Sequence, residues 1–279
     1  MWMVHGLLQD SDPTVEYTSR QIRYGFTVKN IIGRPAENVS LWVYAPVRRT
    51  ATQICDTVSA SHPYTLRTDC LGNQILHFSF DVIAPYASEI VSIQADLRIW
   101  DHSEKSALSD RSSRAFLDPE PYVESDHPAI VAQAKLLELS NDRDTVESIF
   151  QWVADHIDDA GYLRRAQGAV NALLHRKGDC TEYMDLFVAL CRAAGIPGKR
   201  IGGYVTRGNA VVTAAGYHNW AEFYSGGKWY VADPQSRVFM KDATGYIATR
   251  IIGDHCPNEM KNYNRYRFEG EGITVKMNR

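Results

Sequence analysis

A cysteine, a histidine and an aspartate, the three side chains that together make a reactive thiol, stand in this chain at Cys180, His218 and Asp233. Cys180 falls in KGDCTEYMDLFVALCRAAGIPG, an amphipathic run entered through Gly178 and Asp179 and left through Gly195, Ile196 and Pro197. Asp179 and Glu182 have capping-box spacing, and Gly195 with Pro197 makes a C-terminal stop. Cys180 is therefore expected in a first helical turn, where unpaired N–H groups and the helix dipole favour a thiolate. Asp179, Glu182 and Asp185 oppose that charge, so an imidazolium must come from elsewhere. His218 opens HNWAEFY and Asp233 ends WYVAD on the following segment. A turn at Ser225 to Lys228 lays these two strands side by side, with His218 near one end and Asp233 close across from it. A nucleophile, its base and the group that orients the base are then all present.

These residues need a scaffold, and the chain reads as two blocks. From about Thr18 to Trp100 the hydrophobic pattern has period two: Ile22, Tyr24, Phe26 and Val28; Val39, Leu41 and Val43; Val91 through Ile99. Turn signals separate the runs and no helical stretch interrupts them, which predicts an immunoglobulin-like antiparallel β-sandwich over residues 1–115. Asp101 to Arg114 (DHSEKSALSDRSSR) reads as a linker or exposed loop. Helical periodicity follows: Pro128 to about Leu139, a helix capped by Asn141 or Asp142, a short one from Ala169 to Leu174, and the Cys180 helix. After Gly195 the period returns to two, in segments at 201–205, 218–224, 229–232, 238–241 and 247–252, with one or two more strands expected between Tyr263 and Met277. Helices followed by an antiparallel sheet make residues 116–279 an α+β domain.

Composition narrows the function classes. Of 279 residues, 44% are hydrophobic, as in a globular protein, and a net charge of −3 carries no basic footprint for nucleic acid. No apolar run has the length of a membrane span, and MWMVHGLLQDSD lacks a charged n-region, so a cytoplasmic protein without membrane association is expected. The five cysteines, at 55, 70, 180, 191 and 256, show neither CxxC spacing nor a disulfide framework. Cys55 and Cys70 flank a strand-loop-strand and could pair, but two buried thiols are the preferred reading, and Cys191 belongs to the apolar face of its helix. His62, His77 and His102 occur singly and read as structural. A metal held by Cys180, His218 and Asp233, or by His255 and Cys256, is disfavoured, because neighbours on a strand face opposite ways and no loop has zinc spacing. No cofactor is expected.

GDCTEYMDLFVALCRAAGIPGKRIGGY followed by YHNWAEFYSGGKWYVADPQ resembles the core of the transglutaminase-like superfamily, whose papain-type members use a Cys-His-Asp site. The Gly-x-Cys helix start, the Arg-Ala-x-Gly-Ile-Pro step, the His-x-Trp-x-Glu strand and the Trp-x-x-x-Asp-Pro strand end occur in order between about Tyr122 and Arg237. Gly198 and Gln235 depart from the residues common at their positions, and neither touches the three reactive groups. The preceding β-sandwich resembles, in layout only, the domain found before this core in many bacterial members. The resemblance implies that Cys180 is the nucleophile, His218 the general base and acid, and Asp233 the orienting group.

An oxyanion formed at Cys180 needs donors. The Cys180 N–H is one; for the second, Tyr162, Gln167 and Asn171 all carry suitable groups, with Gln167 favoured. Trp220, Trp229 and Tyr230 are expected to pack the sheet, and Glu222 shares the face of His218 by alternation. The function expected is acyl transfer from a peptide or carboxamide through a Cys180 thioester. Hydrolysis as a cysteine peptidase or amidase is favoured over amine transfer as a transglutaminase. A non-catalytic peptide-binding module on the same fold is the alternative from another class.

Overall fold

A computed structural model of the chain describes residues 16–101, 115–261 and 263–279. Nearly all of the expected linker, and His102 within it, lie outside the described residues. Six strands come first: β1 (Thr18–Asn30), β2 (Ala36–Ala45), β3 (Gln53–Ala60), β4 (Thr65–Thr68), β5 (Gln74–Ile83) and β6 (Ser88–Ile99). The helices are α1 (Pro128–Leu137), α2 (Asp142–His156), α3 (Ala169–His175) and α4 (Cys180–Ala193). Between them runs a short parallel pair, β7 (Asp158–Asp159) and β8 (Lys177–Gly178). Then follow β9 (Gly198–Val205), β10 (Ala210–Val211), β11 (Tyr217–Ser225), β12 (Lys228–Asp233), β13 (Val238–Phe239), β14 (Tyr246–Ile252), β15 (Tyr266–Glu269) and β16 (Ile273–Met277). No helix among the described residues is long and apolar enough to cross a membrane.

The period-two runs form the two faced sheets they imply. Ile22, Phe26 and Val28 of β1 and Val91, Ile93, Ala95, Leu97 and Ile99 of β6 point inward and are almost wholly buried against Val39, Leu41 and Phe78 of the other sheet. The strand pairing crosses the expected boundary at 115/116. β16 runs antiparallel to β1, β15 pairs with β2, and β10 adds a parallel contact to β1, so the tail closes the sandwich and does not extend the second sheet. Tyr204, Val212 and Ile247 from the second half belong to the sandwich core. At the junction Val47 N–H donates to Ala248 O, and the Gln53 carboxamide bonds both Ala248 N and Ala248 O. Residues of both blocks thus meet at this junction.

The second sheet has the order β13-β12-β11-β9-β14. Helix α4 packs on it through Leu186 and Phe187 against Ala221 and Phe223 of β11, with α2 and α3 behind. Each such large apolar side chain contributes about 2–3 kcal/mol by leaving water. Arg192, in the last turn of α4, donates through Nε and Nη2 to Gly198 O at 3.1 and 2.9 Å, which fixes the Gly195-Ile196-Pro197 step into β9. The β11–β12 hairpin closes on Gly226 and Gly227 with φ of 57° and 84°, the left-handed pair that a two-residue turn requires.

One cysteine expectation changes. Cys55 and Cys191 are buried thiols as expected, but Cys70 is disulfide-bonded to Cys256 across a sequence separation of 186, tying the β4–β5 turn to the segment after β14. The disulfide also removes Cys256 as a metal ligand, while His255 Nδ1 lies 3.2 Å from Glu120 Oε1.

Candidate active site

Helix α4 opens with the capping box that its sequence encodes. The Asp179 side chain accepts from the N–H groups of Thr181 and Glu182, and Glu182 Oε2 accepts from Asp179 N at 3.0 Å. Both carboxylates have a second task. Asp179 Oδ2 takes Leu163 N at 2.8 Å and Glu182 Oε1 takes Gln167 N at 2.7 Å, so the 161–168 loop hangs from the helix start at two points. Glu124 Oε2 holds the far end of that loop through Ala169 N at 3.0 Å. Among the described residues nothing accepts from the Cys180 N–H, which is left as the free donor of the first turn.

The acidic surroundings that argued against a thiolate are less acidic than they read. Burial pushes the Asp185 carboxyl up to about 8 against the opposing pull of Arg200, and burial also raises Glu182 despite the two N–H groups it accepts. Near neutrality Asp185 is therefore largely protonated, and part of the expected repulsion is absent.

Gly178 is dictated by this packing. A Cβ built on it would lie 2.2 Å from Glu182 Cβ, so any side chain there displaces the capping carboxylate and its two bonds. Gly178→Ala is expected to cost about 2–3 kcal/mol, from overpacking and lost capping together, read as a lower urea midpoint.

β11 presents His218 on the face shared with Trp220, and β12 brings Asp233 to the same face, because Ala221 pairs with Ala232 and the following positions are in step. His218 Nε2 lies 2.7 Å from Asp233 Oδ2, and the Cys180 thiol stands near enough to the imidazole to favour its charged form. With Nε2 engaged by the carboxylate, Nδ1 is the nitrogen left for sulfur. Burial works against the charged ring, but the Asp233 bond and the nearby Asp233 and Cys180 groups outweigh it and hold His218 up to about 10. Asp233 is 1% exposed; desolvation would raise its carboxyl, yet the bond and charge of His218 and the Ser236 N–H keep it below the usual range. The structure thus brings together Cys180, His218 and Asp233.

Other expectations fare differently. The Gln167 side chain is exposed and its Nε2 donates to Arg165 O at 3.4 Å, within its own loop, while Tyr162 is 86% exposed. Glu222 does share the His218 face, but it pairs with buried Lys199 (3.9 Å) and so supports the sheet and not the site. Trp229 packs over Lys199 Nζ at 3.5 Å, and Trp220 stacks near His218 with ring centroids 6.5 Å apart. One site residue escaped sequence reasoning: Tyr246 of β14, whose hydroxyl donates to Asp233 Oδ2 at 2.9 Å. Its strand was anticipated, but no local pattern shows that it lies on the Asp233 face.

Residues 131–234 match the model of the transglutaminase-like superfamily. In fold, 94% of this chain superposes on 92% of a candidate cysteine protease from Cytophaga hutchinsonii, with a TM-score of 0.60 and 16% identity. The chain is 26% identical over 199 residues to kyphoscoliosis peptidase of Mus musculus, across 63% of this chain and 28% of that protein. It is also 26% identical over 164 residues to an uncharacterized protein of Mycobacterium leprae (strain TN), covering 56% of each. The chain thus spans well under two thirds of both curated relatives. The helix-on-sheet core, with a cysteine at a helix start, is the part of the chain that is similar to the transglutaminase-like superfamily.

Proposed function

We propose that this protein is a thiol-dependent acyl-transfer enzyme that cleaves peptide or carboxamide bonds, with Cys180 as nucleophile, His218 as base and acid, and Asp233 as orienting group. The observation that carries the reading is the imidazole bonded to a buried Asp233 carboxylate on a strand end that Asn219 ties to Thr181, the residue next to Cys180. Proton transfer from Cys180 to His218 gives a thiolate–imidazolium pair, which an imidazole held up to about 10 favours. The thiolate attacks the carbonyl carbon, and the Cys180 N–H, free at the helix start, faces the developing oxyanion. His218 then gives its proton to the leaving nitrogen, the C–N bond breaks and a thioester remains. Water, deprotonated by the same imidazole, attacks the thioester, releasing the acid and restoring the thiol. Gln167 is the second oxyanion donor we propose, reached by a side-chain rotation away from Arg165 O.

Hydrolysis is the favoured outcome. The His218 side chain is 18% exposed, so water reaches the base that must activate it. The peptidase named among the relatives agrees with that direction. A glutaminyl peptide supplied with a labelled primary amine separates the outcomes: acid and ammonia should form faster than the amine is incorporated. Predominant incorporation would make the protein a transglutaminase, and absence of thiol-dependent turnover on amide and peptide substrates would favour the binding-module alternative.

A further inference from the structure

The residue after each half of the reactive pair is joined to its counterpart. Asn219 follows His218, Thr181 follows Cys180, and Asn219 Nδ2 donates to Thr181 Oγ1 at 3.0 Å. We propose that this bond is a positioning latch that sets the separation and register of the Cys180 sulfur and the His218 imidazole. The inference rests on the acyl-transfer reading above.

Strand geometry explains why a latch belongs here. Successive residues of β11 face opposite ways, so His218 and Trp220 face Asp233 and Tyr246, while Asn219, Ala221 and Phe223 face α4. The imidazole thus stands on the side of the strand away from the helix whose first residue it must meet. Its approach to sulfur depends on where the end of β11 lies against the start of α4. Phe187 against Phe223, with centroids 6.2 Å apart, sets the spacing further along, but an apolar contact tolerates sliding. A directional bond at the end, made by an amide only 7% exposed, does not.

The amide is closely enclosed. Asn219 Oδ1 and the Tyr217 hydroxyl are both enclosed without a hydrogen-bond partner, and both lie against Gly202, where a Cβ would fall 3.1 Å from the first and 2.0 Å from the second. Glycine at 202 is what admits them. The amide serves in either orientation: Nδ2 to Thr181 with Oδ1 toward the phenol, or Oδ1 accepting the Thr181 hydroxyl with Nδ2 toward it. Tyr217 is in turn held from the sandwich side, by Tyr204 edge-on at 5.8 Å and by the Arg265 guanidinium over its ring at 5.3 Å. Ring packing on Tyr217 thus reaches from Arg265, just before β15, to the glycine pocket that also holds the Asn219 amide.

The test uses the full chain and compares Asn219→Ala, Thr181→Val, their combination, Thr181→Ser and, as reference, His218→Ala. Each is assayed for kcat and KM on a cleaved peptide and for Cys180 alkylation by iodoacetamide from pH 5 to 10. Asn219→Ala and Thr181→Val should each lower kcat about tenfold with KM little changed, and slow alkylation at neutral pH by a similar factor. The double variant should be no worse than either single one, and Thr181→Ser, which keeps Oγ, should recover most of the rate. Wild-type kcat and alkylation in Asn219→Ala, where His218→Ala has lost both, would overturn the latch, as would fully additive losses in the double variant. Should Asn219→Ala not fold, Thr181→Val against Thr181→Ser decides: equal rates in the two overturn it. Wild-type rates in His218→Ala would instead overturn the acyl-transfer reading and the latch with it.

Discussion

Cys180→Ala is expected to remove peptide and amide turnover, by on the order of 10⁴-fold or more, without unfolding the protein. Alanine is the best helix former and Cys180 is half-buried at the first helical position, so the substitution leaves no deep cavity. The capping box depends on Asp179 and Glu182 and survives intact. What disappears is the only atom that can form the thioester, while the helix-start N–H and the His218–Asp233 pair remain. The complementary measurement is alkylation of the native wild type. Burial pushes the Cys55 thiol up to about 12 and raises Cys191 well above the ordinary thiol range, and Cys70 and Cys256 are joined to each other. A single iodoacetamide adduct mapping to Cys180, absent from the alanine variant, is therefore expected at neutral pH. Retained turnover in Cys180→Ala would remove thiol catalysis altogether.

The reason this much of the site was legible lies in how local its signals are. The capping box of Asp179 and Glu182, the glycine pair of the β11–β12 turn and the alternation along β11 each act within a few residues, and each fixes where one reactive side chain points. Cys180, His218 and Asp233 could accordingly be placed on their elements before the elements were placed in space. What escaped is non-local. Tyr246 reaches Asp233 from β14 at the far edge of the sheet, beyond β11 and β9, and nothing in the 246–252 pattern specifies that edge. Cys70 meets Cys256 only because the tail returns to the sandwich, a pairing set by β15 on β2 and β16 on β1. The acidic first turns of α4 misled for a related reason: charge counted along a sequence takes no account of burial, which leaves Asp185 largely neutral.

Asp233→Asn is expected to move the pH dependence of the enzyme more than any other substitution that preserves its shape. In the wild type, burial alone would lower His218; the Asp233 bond is the largest influence against it, and together with Cys180 it holds the imidazole up to about 10. Catalysis through a thiolate–imidazolium pair then persists until His218 deprotonates, so kcat/KM should fall as pH rises through about 10. An asparagine at 233 removes the charge and turns one acceptor into a donor. Desolvation then dominates, the imidazole loses its proton nearer neutrality, and the basic limb should move down by roughly two units or more, with a fall in kcat of about 10²- to 10⁴-fold. The same pair contributes to folding with a definite sign. His218 is raised in the folded state, so its share of stability is fully present below the unfolded histidine value of about 6.5 and is lost as pH rises through its folded value. Wild type should lose urea resistance between pH 6.5 and 10 relative to Asp233→Asn, which lacks that contribution throughout. Tyr246→Phe keeps the carboxylate and removes one of its donors, so it should leave the basic limb near the wild-type position while the asparagine variant shifts it. A basic limb that stays in place in Asp233→Asn would mean that the group titrating there is not His218.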